Sequence, residues 1–352
     1  MAQPIAKFDP KRILIVLHGS IGDVTRALPL ATILRKQFPH AFLAWSIEPA
    51  CLPLLERNEA IDEIILFDRR NWWKSSGPFL ARLRGGRFDL ALDLQRLFKS
   101  GLISWWSGAR QRIGFHRRDS KEFNWIFNNL HIPAYGEKIP KLEHYLKFAD
   151  YLGIERMPLE WHFNLSSEEQ VSVDDHLVGI RRAFAVLFVG TRWQSKQWFP
   201  MQMSRCAEQL NRDHNLDVVL LGGKGDRNLA REAQALSNQS LTNLVGQTTL
   251  REAIGIIQRA KVAIGPDTGL MHIAAALGTP VVSLWGATDP QRTGPHGFQH
   301  LVIQGEAPCA PCHRRRCSIG RVCLQSITAE QIGAKIRMAL GAEEPARIHH
   351  AR

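Results

Sequence analysis

The chain has 352 residues, 45% hydrophobic and 22% charged, a soluble globular composition at a length that suggests two domains. No run of about 18 apolar residues occurs, so no transmembrane helix is expected. The formal net charge is +12, from 45 Lys and Arg against 33 Asp and Glu; such an excess fits nucleic acid, a phosphorylated substrate or an acidic membrane surface, or simply a basic, well-solvated exterior.

The opening MAQPIAKFDPKR lacks the apolar core of a signal peptide, which points to the cytoplasm. RILIV then reads as a buried strand that runs into LHGSIGDVTRALP. Beyond Asp23 the apolar residues Val24, Ala27, Leu28, Ala31 and Leu34 share one helical face, and Pro29 predicts a kink or a helix start within that pattern. A strand, a Gly turn and a helix in succession suit a bound phosphate, but a carboxylate in the mouth of that turn does not. Asp23 therefore needs another purpose.

AFLAWSI, IDEIILF and FDLALDL read as further strands, with helical patterns around PACLPLLERN and PFLARLRGG. This alternation predicts a parallel sheet covered on both faces. Leu165 to Gly179 is polar with weak apolar periodicity, which places a boundary near 165–182. The rhythm restarts at AFAVLFVG and continues through LDVVLLGG, LTNLVG, KVAIGPD and PVVSLWG, with helices expected to begin near Pro200, Asp226, Thr249 and Gly269. The expected organisation is an N-terminal Rossmann-like domain over 1–170, a second over 171–330, and a helix and tail over 331–352. Open parallel sheets bind ligands beyond their C-terminal strand ends, so two of them facing each other would form a cleft.

Three strand-end loops of the second half, with the Asp-Thr-Gly block, carry chemistry. In VGTRWQSKQWFP, Thr191, Arg192 and Lys196 suit a diphosphate, although cationic loops are common at solvated ends. In LLGGKGD, Asp226 suits ribose hydroxyls or merely caps the next helix. In NLVGQTTLREA, a purine could lie against backbone near Thr249. The densest is KVAIGPDTGLMHIAAALGTPVVSLWGATDP. There the helix start at Thr268 and Gly269, together with His272, suits phosphate, and Asp267 suits a sugar hydroxyl. Cys309, Cys312, Cys317 and Cys323 lie close enough in sequence for a structural zinc, with reduced thiols or disulfides as the alternatives.

GSIGDVTRALP, GTRWQSKQW, LGGKGD and GPDTGLMHIAAALGTPVVSLWGATDP, in that order, resemble glycosyltransferase family 9, the ADP-heptose:lipopolysaccharide heptosyltransferases of Gram-negative bacteria. The resemblance covers nearly the whole chain. It implies the GT-B fold, with the acceptor on the N-terminal domain and ADP-heptose on the C-terminal one. It implies that Asp23 is the base of a single inverting displacement of L-glycero-D-manno-heptose. Lys196, Thr191 and the helix start at Gly269 and His272 would stabilise the leaving ADP, with no metal or other cofactor required.

The implied acceptor is the anionic Kdo–lipid A inner core at the cytoplasmic face of the inner membrane. Arg69, Arg70 and Lys74, beside Trp72 and Trp73, and Arg96, Lys99, Arg117, Arg118 and Lys121 are the cations placed to meet it. No standard nucleic-acid recognition motif occurs, so no nucleic-acid partner is expected. Another family 9 donor or acceptor, or a non-catalytic anionic-glycolipid-binding protein, are the alternatives.

Overall fold

A computed structural model of the chain describes residues 9–136 and 139–341. The opening segment before Asp9 and the expected tail beyond Gly341 lie outside the described residues. The chain divides into two compact units, Met1–Asn164 and Leu165–Arg352.

The first unit contains β1 (Arg12–Val16), α1 (Ile21–Gln37), β2 (Phe42–Ile47), β3 (Glu63–Leu66), α2 (Trp72–Gly85), β4 (Leu90–Asp93), α3 (Phe98–Trp106), β5 (Gln111–Gly114), β6 (Leu130–His131) and α4 (Lys141–Tyr151). The strands form one parallel sheet in the order β3-β2-β1-β4-β5-β6. Ile13 to Val16 are all buried, as expected of a central strand covered on both faces. Leu14 and Val16 pack with Ala44 and Ala91 against Phe79 and Leu83 of α2 and Ile103 of α3. Where the sequence suggests an α-helix over PACLPLLERN, the structure has a 3₁₀ helix, Pro49–Leu54. Pro53 lacks the N–H that would close an α-helical turn onto the Pro49 carbonyl.

Helix α1 settles one of two expectations, because it begins at Ile21 and continues through Pro29 rather than starting there. Proline has no N–H, so the Thr25 carbonyl four residues earlier loses its helical donor. The indole N–H of Trp161 donates to that carbonyl instead, at 2.8 Å. The carbonyl freed by Pro29 is thus satisfied by a side chain 132 positions along the sequence from the proline.

The second unit contains α5 (Ser167–Leu177), β7 (Phe184–Phe188), α6 (Pro200–His214), β8 (Asp217–Leu221), α7 (Arg227–Ala235), β9 (Leu241–Asn243), α8 (Leu250–Arg259), β10 (Val262–Pro266), α9 (Gly269–Ala276), β11 (Val281–Trp285), α10 (Pro290–Thr293), β12 (Val302–Gln304), α11 (Val322–Gln325) and α12 (Ala329–Gly341). Its sheet is also parallel, in the order β12-β11-β10-β7-β8-β9. Both orders are the doubly wound arrangement, with the direction of winding reversing between β1 and β4 and between β7 and β10. Helix α5 occupies the stretch that reads as a weakly periodic boundary. Ser166 and Glu169 cap it reciprocally, and Glu169 also holds the buried Arg251 guanidinium through two contacts of 2.7 and 2.8 Å.

Replacing Trp161 by Phe leaves the Thr25 carbonyl without its donor, at an expected loss of about 1–3 kcal/mol. Pro29→Ala restores a helical N–H four residues downstream, so the same Trp161 substitution should be milder in that background. Urea unfolding of the four proteins measures the difference. Equal losses in both backgrounds would show that the indole does not stand in for the missing backbone donor.

Candidate active site

Asp23 is the third residue of α1, just beyond the C-terminal end of β1. Its carboxylate accepts from the Ser20 N–H and hydroxyl at 3.3 Å each, while its own N–H donates to the Ser20 carbonyl at 2.9 Å. One purpose of the carboxylate is therefore local: it closes the first turn of its own helix, where the helix dipole favours negative charge. Two cations complete the cage, Arg26 at 3.0 Å and Lys141, the first residue of α4, on the same oxygen.

Burial by itself would push the Asp23 carboxyl up, but the Lys141 ammonium and the Arg26 guanidinium hold it well below the usual carboxylate range. Asp23 is ionised at neutral pH and only weakly basic while both cations stay in place. Around them, Arg96 donates to the Tyr135 hydroxyl at 3.3 Å, and that hydroxyl meets His144 Nδ1 at 2.9 Å. Tyr145 is buried nearby, its hydroxyl pushed well up by burial and by the Asp23 charge. Sequence reasoning missed Lys141, Arg26 and this aromatic pair, because Lys141 lies 118 positions from Asp23 and no local motif marks it.

The expected acceptor cations are spread over several loops. Arg96 leaves β4 with left-handed backbone (φ 68°), and its carbonyl accepts the Lys121 N–H at 2.9 Å, which ties the cationic 116–122 segment to the Asp23 neighbourhood. Lys99 is paired with Glu48 at 3.0 Å and lies over Phe67. Beside it, His18 is fully buried and stacked on Phe67; burial and the Lys99 charge lower its pKa to about 3, so the ring is neutral. Arg117, Arg118 and Lys121 are exposed. Arg69 and Arg70 are exposed on a separate turn whose N–H groups at 70 and 71 are held by Asp68. Trp73 is almost fully exposed, and the Trp72 side chain lies outside the described residues.

In the second unit the reversal of winding brings the predicted donor residues together. Asp267 directly follows β10, and its Oδ2 accepts from Lys196 at 3.0 Å and from the Thr288 hydroxyl at 2.8 Å. His272 Nε2 stands 4.0 Å from the other oxygen. Thr268 precedes α9 and Gly269 is its first residue. Lys196 also lies over the Trp193 ring at 4.8 Å, and Ser195 is braced by its hydroxyl on the Arg314 carbonyl at 2.5 Å.

Thr191 donates to the Trp193 carbonyl at 2.7 Å, whereas Arg192 is exposed and outside this cluster. Asp226 accepts the Gly223 N–H at 2.8 Å, and its carboxylate fills the space that a Cβ on Gly190 would need. That absence of a side chain lets the 223–226 turn close onto the end of β7. Burial pushes the Asp226 carboxyl up, against the pull of the Gly223 N–H. Thr288, which the sequence reading passed over, is the residue that orients Asp267.

All six cysteines are free thiols. Cys323 is buried on α11, its thiol pushed up by burial and by the neighbouring Cys317, Cys309 and Cys312. Among the described residues, no three His, Cys, Asp or Glu side chains are grouped to hold a metal ion. No helix among them is long and apolar enough to cross a membrane.

The family model described as "Glycosyltransferase family 9 (heptosyltransferase)" matches residues 78–323. The lipopolysaccharide core heptosyltransferase OpsX of Haemophilus influenzae is 25% identical over 303 residues, 85% of this chain and 86% of the relative. The solved ADP-heptose lipopolysaccharide heptosyltransferase II of Escherichia coli superposes with a TM-score of 0.74 at 25% identity, covering 94% of this chain and 98% of that one. A family 9 glycosyltransferase from Veillonella parvula gives 0.81 at 20% identity, over 95% and 98%. The two sheets are thus those of the GT-B fold.

The Asp23–Lys141 pair has a measurable signature. A carboxyl held below its unfolded value contributes stability that is present above about pH 4 and lost as pH falls toward the folded value. Lys141→Met removes one cation and lets burial raise the carboxyl. The stability gap between wild type and Lys141→Met, from urea unfolding at a series of pH values, should widen from about pH 3 upward and level off once both carboxyls are ionised. A gap independent of pH would mean that the contact carries no charge coupling.

Proposed function

The chain belongs to glycosyltransferase family 9, and from that premise we propose that it transfers L-glycero-D-manno-heptose from ADP-heptose to the inner core of lipopolysaccharide, with inversion at the anomeric carbon. The observation that carries the reading is the cluster of Lys196, Asp267 and His272 at the winding reversal of the second sheet. It combines one cation, one carboxylate and a helix N-terminus, the set that a nucleoside diphosphate-sugar needs.

Bound there, the donor's diphosphate takes Lys196 away from Asp267. Lys196 and the first N–H groups of α9 then meet the charge that grows on the leaving ADP. Asp267, held by Thr288, is left free to accept from a sugar hydroxyl. Asp226, beside Gly190, would accept from a ribose hydroxyl.

On the first unit Asp23 takes the proton from the attacking hydroxyl of the acceptor. The cage around it sets a condition: with Lys141 and Arg26 both on the carboxylate, the base is weak. An acceptor bearing phosphates or carboxylates draws these cations toward itself and raises the basicity of Asp23 when the substrate is in place. Arg96, Arg117, Arg118 and Lys121 extend the same positive surface outward, and Arg69, Arg70 and Lys99 would contact more distant anionic groups. A lipid-linked acceptor places the enzyme at the cytoplasmic face of the inner membrane.

Purified protein incubated with ADP-heptose and defined core acceptors should add one heptosyl unit, read by mass. Asp23→Asn should lower kcat by about 10² to 10⁴, the range for a lost general base, with ADP affinity nearly intact. A variant that turns over normally at saturating substrates would remove Asp23 from the mechanism. An increment of another mass would identify a different donor sugar.

The donor assignment is tested separately by calorimetry with ADP. Lys196→Ala should weaken binding by about tenfold or more, as expected when a charge-assisted contact to phosphate is lost. Unchanged affinity in Lys196→Ala, Asp267→Ala and His272→Ala alike would place the nucleotide elsewhere.

A further inference from the structure

The surface around the turn between β5 and β6 is built in a way that the transfer reaction does not require. The 3₁₀ turn Asn124–Phe127 is entered through two consecutive left-handed residues, Glu122 (φ 51°) and Phe123 (φ 57°), a conformation that bulky residues avoid. It persists because the turn is anchored from beneath. Asn124, fully buried, donates to the Asp93 carboxylate at 2.5 Å and to the Leu97 carbonyl at 2.8 Å. Asn128 donates to the same carboxylate at 3.3 Å and accepts from the Ser104 hydroxyl at 2.9 Å. On α3, a Cβ at Gly101 would lie only 2.7–3.0 Å from Phe127 and Asn124, so glycine lets the turn sit directly on the helix. A strained conformation over-determined by buried polar contacts holds its side chains in one presentation.

Those side chains are apolar and face water. Phe123 is 73% exposed, Ile126 55% and Trp125 37%. Phe98 and Trp105, seven residues apart on one face of α3, flank Gly101 and are 46% and 48% exposed. Phe98 meets Phe127 edge-on at 5.0 Å, joining helix and turn into one patch. Arg117, Arg118 and Lys121 stand exposed immediately before the turn. The two carboxylates of that segment are occupied by backbone: Asp119 accepts the Tyr135 N–H at 3.0 Å and Glu122 the Phe98 N–H at 3.2 Å. Exposed aromatic rings beside cations match the interface of a bilayer with anionic headgroups.

We propose that Phe98, Trp105, Phe123, Trp125 and Ile126, flanked by Arg117, Arg118 and Lys121, form the surface by which this protein docks on an anionic lipid bilayer. The inference rests on the functional reading above, since an acyl-chain-bearing acceptor presents its sugar at such a surface. The hydrophobic residues insert at the headgroup boundary and the cations meet the phosphates. Asp93 and Asn124 act as positioning residues that fix the patch.

Co-sedimentation with phosphatidylcholine vesicles, with and without phosphatidylglycerol, tests this on the full chain. Wild type should bind the anionic vesicles, and less as salt rises. Phe123→Ser/Ile126→Ser, at two exposed positions, should lower partitioning by about tenfold, because interfacial binding scales with buried apolar area. Trp105→Ser, on the other element, should act in the same direction. Transfer to a de-acylated, water-soluble acceptor should be unchanged in these variants.

Wild type that ignores anionic vesicles, or variants that bind as wild type does, would overturn the proposal. So would a dimer in light scattering that the double substitution dissolves, since the patch would then serve a second copy of the chain. Failure of every protein to transfer heptose to the soluble acceptor would strike the functional reading alone, because sedimentation involves no acceptor.

Discussion

Parallel strand pairing requires every connection to cross back over a face of the sheet, so all the C-terminal strand ends collect along one edge. In each unit the winding reverses once, between β1 and β4 and between β7 and β10, and the two loops at that point diverge to opposite faces. The chemistry-bearing residues gather there in both units. Asp23 follows β1, Asp93 ends β4, Thr191 to Lys196 follow β7, and Asp267 follows β10. Close packing at the second reversal depends on Gly265, where a Cβ would lie 2.7 Å from Phe188.

Placing carboxylates at these buried edges carries a desolvation cost, and each one is compensated differently. Asp23 is surrounded by two cations and its own helix terminus, which keep it ionised. Asp267 accepts from the Lys196 ammonium and from the neutral Thr288 hydroxyl. Asp93 has only amides, a backbone N–H and Ser100 around it, and burial pushes its carboxyl up despite them. Under the proposed function the first two arrangements respond to an arriving anion, because phosphate would compete for the same ammonium and guanidinium groups. The Asp93 arrangement has no cation to surrender and serves as a fixed anchor for the 124–128 segment.

The strand ends and most helix starts of the second unit were legible in the sequence because they are local. Pro200, Thr249 and Gly269 lie at or next to the helix starts that they signal. The same holds for the Asp-Thr-Gly-x-x-His block, whose two chemical groups are five residues apart. The short strands β5, β6 and β12 escaped notice, since two to four residues are too few to establish a period. Helix α5 was hidden for a different reason. Its apolar signal is weak, and its stability comes partly from Arg251, Glu252 and Gly255 of α8.

By itself the sequence determined the class of the fold and the family, and it named Lys196, Asp267 and His272 as candidates to meet a nucleoside diphosphate-sugar. Hydrophobic runs, turn residues and short motifs act over a few positions and survive without knowledge of the rest. Only the tertiary structure decided how those groups are held. Lys141 reaches Asp23 from 118 positions away and sets its ionisation. Trp161 replaces the hydrogen bond that Pro29 removes. Asn124 presses a strained turn outward so that Phe123 stands in water. Each is a contact between segments that have no local relation, and the strength of an electrostatic or hydrogen-bonded contact depends on burial that only the folded chain provides.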